Sequence, residues 1–177
     1  NDGAAGATGA AGAAGQTGAR GQPASSFVQE SLHTWNVTHG SGTYTVGYDL
    51  TVLAGGCTLV GFELNWKYSG SGPDAVKVTL WNSGGSIVAT ASISTTTSGY
   101  KYLALASPVA LTAGTYTIGT FQTGGGYCQS SSVPQFGVDY GGNWTVTSGG
   151  NRDIASDAQP NHTASSEKYC NVGMVVQ

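Results

Sequence analysis

The chain has 177 residues, of which only 8% are charged, and its six Lys and Arg against nine Asp and Glu give a formal net charge of −3. That leaves no basic surface to neutralise phosphates, so nucleic acid is not an expected partner. No apolar run approaches the roughly 18 residues needed to cross a bilayer, and membrane insertion is not expected either. The 29 Gly and nine Tyr, with abundant Ser and Thr, fit a secreted β protein that relies on hydroxyls for solubility.

The first element is a repeat. Glycine stands at Gly3, Gly6, Gly9, Gly12, Gly15, Gly18 and Gly21, an unbroken G-x-y register through DGAAGATGAAGAAGQTGARGQP. Three polyproline-like strands can share an axis only where every third residue lacks a side chain, so the period predicts a collagen-like triple helix over residues 1–23 and with it a homotrimer. A flexible Gly/Ala linker is the other reading, although a linker has no need of strict spacing. Seven triplets would span roughly 65 Å at about 3.1 Å per residue. The segment resembles the collagen-like stalks of bacterial surface proteins and phage tail fibres, which carry a C-terminal head; its Ala-rich triplets suit these better than the Pro-rich animal pattern.

Residues 24–42 read as a neck or strap. Ser26 and Gln29 have capping-box spacing, and Val28, Leu32 and Trp35 recur at i, i+4 and i+7, which fits a short helix over 26–34. A first strand, or an extended strap over the head, is the alternative.

From residue 43 to 177 the chain alternates apolar and polar residues in short runs, the period of half-buried strands. The rows expected to face the core are Tyr44, Val46, Tyr48, Leu50 and Val52; Val60, Phe62, Leu64 and Trp66; Val76, Val78 and Leu80; Ile87, Ala89, Ala91 and Ile93; Leu103 and Leu105; Tyr116 and Ile118; Phe136 and Val138; and Val172, Met174 and Val176. Glycine-bearing turns at 54–56, 69–73, 83–85, 112–114 and 123–126 punctuate them. Eight or nine strands without a convincing helix predict an all-β fold, an antiparallel β-sandwich of two packed sheets. The polar stretch 141–167 reads as a long loop, a feature that usually serves function or an interface.

The segments YTVGYDLTV, LVGFELNW, KVTLWNSGGSIVATASI and YKYLALASPVALTAGTYTIGTF, covering about residues 43–121 plus the closing strand, resemble a bacterial secreted-protein domain of unknown function. Gly61 with Phe62, the Leu80–Trp81 pair followed by Gly84, and the PVALTAGTY turn carry the likeness. The resemblance implies a jelly-roll-like sandwich of the kind attached to surface or carbohydrate-active proteins. It implies no catalytic residue, and its association with glycan-active proteins implies sugar binding.

The chain offers little recognisable chemistry. His33, His39 and His162 lie far apart without acidic or Cys partners at metal-ligand spacing, so they read as surface or loop histidines, and neither metal nor cofactor is expected. No G-x-S-x-G or H-E-x-x-H is present, and the Gly-rich turns lack the Lys and following helix of a phosphate loop. Asp153 with Asp157, or Glu63 with a neighbour on an adjacent strand, could pair, but nothing in the spacing places two carboxylates across a glycosidic bond. No catalytic residue is assigned. Asn36, Asn143 and Asn161 head N-x-[ST] triplets, which a Thr-rich chain acquires by chance.

Aromatic residues are more informative, because sugar C–H groups stack on rings while hydroxyls bond to Asn, Asp or Gln. Trp66 is in phase with Phe62 and Leu64 and belongs to the core. Trp81 is out of phase with Val78 and Leu80 and is expected to face away from it. Trp144 lies in the long polar stretch beside Asn143, with Tyr140 upstream and Tyr127 in another turn. A ligand-binding set would therefore be Trp81, Tyr127, Tyr140, Asn143 and Trp144, with packing against a neighbouring subunit as the competing reading.

Of the three cysteines, Cys128 and Cys170 are the expected disulfide, since one would follow the strand ending near Phe121 and the other opens the last strand. Closing about 40 residues, it would contribute roughly 3–4 kcal/mol. The N-terminus lacks the basic and apolar regions of a signal peptide, so an exported form would be processed, a fragment, or released by lysis. Together these features favour a non-enzymatic trimeric extracellular fibre or tip, on a virion or a bacterial surface, that joins a larger assembly and binds a cell-surface glycan or receptor. A monomeric carbohydrate-binding module of a secreted enzyme and a purely structural decoration are the alternatives.

Overall fold

A computed structural model of the protein describes residues 37–41, 43–66, 68, 70, 72–123, 126–130, 139–140, 142–164 and 172–177; for 37–41, 123, 126–130, 139–140, 148–153 and 162–164 it describes the backbone alone. The seven stalk glycines, the expected helix over 26–34, Phe136, Val138 and Cys170 lie outside the described residues.

All regular structure among the described residues is strand, and every pairing is antiparallel. A seven-stranded sheet has the order β11 (His162–Ala164), β10 (Trp144–Ile154), β2 (Thr45–Val52), β7 (Gly114–Thr123), β4 (Asp74–Asn82) and β5 (Ile87–Thr95), with β9 (Asp139–Tyr140) also paired to β10. A three-stranded sheet has the order β12 (Val172–Val176), β3 (Cys57–Trp66) and β6 (Gly99–Leu111). A third ribbon joins β1 (Val37–Ser41) to β8 (Gly126–Ser130). Part of the expected neck is therefore a strand paired far along the chain.

One core lies between the two larger sheets. The seven-stranded sheet contributes Tyr48, Leu50, Val52, Val76, Val78, Leu80, Ile118, Trp144 and Val146; the three-stranded sheet contributes Leu59, Phe62, Leu64, Trp66, Leu103, Val172, Met174 and Val176. Alternation puts these side chains on the inner faces, and removing them from water is the main force holding the sheets together. Two buried hydrogen bonds pin polar atoms that the core encloses: Tyr48 Oη donates to the Val172 carbonyl across the sheets (2.7 Å), and Trp66 Nε1 donates to Asp74 Oδ2 (2.8 Å). Left unmade, each would cost the desolvation of a buried polar group.

Bulges account for the places where period-two alternation misassigns a face. Between Leu59 and Gly61 of β3 the pairing jumps from Val109 to Ala104, so β6 loops out across Leu105–Pro108, a site where a proline without an N–H does no harm. Leu59 thereby takes the core position expected of Val60, which is only half-buried. A second irregularity, between Leu80–Ala89 and Trp81–Ile87, turns Ile87 out to 59% exposure although an inward position was expected. The turn joining β4 to β5 is closed by Asn82, whose Oδ1 accepts from the backbone N–H groups of Gly84 and Ser86 at 3.0 Å each. Gly85, at φ 84°, supplies the left-handed residue there.

Candidate binding surfaces

The stretch 141–167 is not one long loop. It supplies β10 and β11, and β10 lies beside β2 with a large bulge between Val146 and Asn151. Trp144 is 1% exposed and sits in the core against the β2 row, because the strand places it opposite Val52. It is unavailable to a ligand, contrary to the sequence expectation. Asn143 occupies the turn that precedes it, where its carbonyl accepts from Leu53 N (2.9 Å), and Tyr140 pairs with Trp144 at backbone level. The structure thus gathers Tyr140, Asn143 and Trp144 at one hairpin. Tyr127 lies in β8, and Trp81 lies on β4, two strands beyond β2.

Trp81 does point away from the main core, as its phase indicates, yet it is only 4% exposed. On the same side of the seven-stranded sheet the segment between β10 and β11, residues 155–161, crosses its outer face. Thr45 Oγ1 donates to the Ser156 carbonyl, Lys77 pairs with Asp157 at 2.8 Å, and Gln159 Nε2 donates to Thr117 Oγ1 at 3.1 Å. These anchors flank Trp81, whose ring comes so close to Gly119 that a Cβ there would stand 3.3 Å from Cζ3. Asp157 is therefore an ion-pair partner. Glu63, a further carboxylate considered for pairing, is fully buried.

Beside the strap, a depression of about 330 Å³ is lined by Asp49, Ser83, Thr115, Thr117, Gln159, Pro160 and Asn161. Its floor is ordered by hydrogen bonds running in one direction, from the Gln159 amide to the Thr117 hydroxyl and from that hydroxyl to Asp49 Oδ1 at 2.8 Å.

The outer face of the three-stranded sheet has a different chemistry. Glu63 and Asn65 of β3 face Tyr102 and Tyr100 of β6, their register partners. Tyr102 is 48% exposed; its ring lies over Gly61, where a Cβ would meet Cε2 at 2.6 Å, and its hydroxyl approaches the Val60 carbonyl at 3.5 Å. Tyr100 is held above the usual phenol range, first by burial, then by the charge of Glu63, by Tyr102, and by a hydrogen bond to the Glu63 carboxylate. Sequence reasoning passed over this pair. Its signal was the Y-x-Y of YKYL, opposed by an E-x-N in an otherwise apolar strand, at positions out of phase with Phe62 and Leu64.

Among the described residues no three His, Cys, Asp or Glu side chains converge as metal ligands, and no helix is long and apolar enough to cross a membrane. Cys57 is a free thiol, which burial pushes above its ordinary range; Cys128 is opposite His39 in the β1–β8 ribbon.

No curated protein matches the chain. Residues 33–171 match the family model described as a domain of unknown function, DUF4082, a span that begins before the expected head boundary at residue 43 and includes the polar stretch with its strap. More than half of the sequence lies in that match, and the chain belongs to the DUF4082 family.

Proposed function

We propose that this chain is a non-enzymatic, trimeric extracellular fibre or tip protein whose head, a jelly-roll-like antiparallel sandwich, binds a cell-surface glycan or other receptor without altering it. The observation that carries the reading is the outer face of the three-stranded sheet. Tyr102 offers an open ring braced over Gly61, and the half-buried Tyr100, on the same strand, supplies a phenol hydroxyl beside it, while Glu63 and Asn65 are buried beneath the pair. A flat aromatic surface of this kind receives the C–H face of a sugar ring, while neighbouring polar groups meet its hydroxyls. The glycine register of residues 3–21 supports a stalk that would bring three heads together. Weak individual sites then gain avidity through effective concentration. Such a protein would work at a virion fibre or a bacterial surface, as part of a larger assembly.

A glycan array and whole-cell binding with trimeric and stalkless chains test this reading. The trimeric chain is expected to bind, the stalkless head to bind far more weakly, and Tyr102→Ala to weaken retention by both. Absence of binding in both forms, or turnover of a glycan, would overturn it. A chain that sediments as a monomer at micromolar concentration, with no triple-helical circular dichroism in the cold, would transfer the same surface to a monomeric carbohydrate-binding module.

A further inference from the structure

We infer that the depression beside the strap is a second, separate binding site, and that its ligand is a neutral saccharide unit held by hydrogen bonds rather than by stacking. The inference rests on the glycan-binding reading and extends it to the opposite side of the molecule, on the outer face of the seven-stranded sheet.

The volume, about 330 Å³, is at the lower end of the range for small-molecule sites. Six of the seven lining residues carry hydroxyl, amide or carboxylate groups, and Pro160 supplies an apolar edge. Among the described residues no cationic side chain lines it, so that lining offers an anion no counter-charge. One carboxylate is also too little for calcium, which takes six to eight oxygens and usually several charged ones. Hydroxyl-rich neutral molecules are the class that such a lining can satisfy.

The order of the floor sharpens the argument. Gln159 donates to Thr117 and Thr117 donates to Asp49, so the Thr117 proton is committed and Asp49, 8% exposed, is fixed in place as an acceptor. Gly85 allows this arrangement, since a Cβ there would stand 2.9 Å from Gln159 Oε1. Ser83, Thr115 and Asn161 are exposed at the rim, where they can exchange donor and acceptor roles with a sugar. A carboxylate held in advance accepts ligand hydroxyls without the entropic cost of ordering a mobile side chain.

The test uses the full chain titrated with galactose, mannose, N-acetylglucosamine and lactose, followed by calorimetry and by amide chemical shifts. Saturable binding is expected for at least one of them, with shifts centred on Thr115–Thr117 and Gln159–Asn161. Asp49→Asn and Asn161→Ala should each weaken it roughly tenfold, and Tyr102→Ala, whatever it removes from the total heat, should leave the titration of the Thr115–Thr117 and Gln159–Asn161 shifts as it was. Asn161 is exposed, so its variant keeps the test sound if Asp49→Asn fails to fold. Binding lost in Tyr102→Ala but kept in the two groove variants overturns the groove and leaves the wider glycan reading standing. Binding abolished by a chelator overturns it in favour of a cation site. A wild-type chain that binds none of these sugars at millimolar concentration overturns it as well, while array binding by the trimeric chain decides the wider reading independently.

Discussion

The two outward sheet faces handle their aromatic residues in opposite ways. On the seven-stranded sheet Trp81 is closed off to 4% exposure, on a face where residues 155–161 are anchored to Thr45, Lys77 and Thr117; on the three-stranded sheet Tyr102 stays 48% exposed, braced on Gly61. Polar neighbours are buried on both, Asp49 and Thr117 on one and Glu63 and Asn65 on the other. The difference shows that an out-of-phase strand position is only a position facing away from the main core. Whether it meets solvent depends on what else the chain lays across it.

The sharpest way to break this comparison is Trp81→Ala. If the indole is packed as a core side chain is, its loss should cost about 3–5 kcal/mol in urea unfolding. A cost under about 1 kcal/mol would show the strap side to be as loosely covered as the tyrosine side. Next in size is Gly61→Ala, whose methyl would stand 2.6 Å from the Tyr102 ring and 2.8 Å from the Leu103 carbonyl. Overpacking of this kind should cost about 1–3 kcal/mol. Only part of that should return in a Tyr102→Ala background, because the carbonyl remains, and a double-mutant cycle in chemical denaturation measures that part.

Smaller still is the strap's ion pair. Lys77 and Asp157 have side chains about a third exposed, so Lys77→Ala should cost only about 0.2–1 kcal/mol, less at high salt. A larger loss in thermal melts would mean that the pair holds the whole strap down. The smallest effect belongs to Tyr100. Its folded pKa is raised above the ordinary value of 10.0, so the stability it contributes is fully present below pH 10 and is lost as pH rises through the folded value. Melting temperatures measured between pH 8 and 11 should fall less steeply in Tyr100→Phe than in the wild type. Equal slopes would place the titration elsewhere.

Much of the fold was legible because period two is a direct consequence of strand geometry. The rows Tyr48–Leu50–Val52, Val76–Val78–Leu80 and Val172–Met174–Val176 all face the core as their alternation predicts. Bulges were not legible, since an extra residue flips the phase without any requirement on composition; Leu59 in place of Val60, and the exposed Ile87, are the results. Trp144 was misread for a related reason. The polar residues around it suggested a loop, but β10 is a strand whose inward positions are Trp144 and Val146 and whose bulge absorbs the Ser-Gly-Gly run.

By itself the sequence determined that the described residues form an all-β fold with antiparallel pairing, and it identified the side chains rich enough in apolar surface to form a core. It also carries the glycine period on which the trimer proposal depends. Tertiary structure alone decided which outward residues are covered, because Asp49, Thr117 and Gln159 come from segments up to 110 residues apart and meet only once the strap crosses the sheet. The same holds for Tyr102 over Gly61, a contact that β3–β6 register creates and that no local pattern encodes. Strand period is a property of a few consecutive residues, whereas a binding surface is a property of what distant segments leave open.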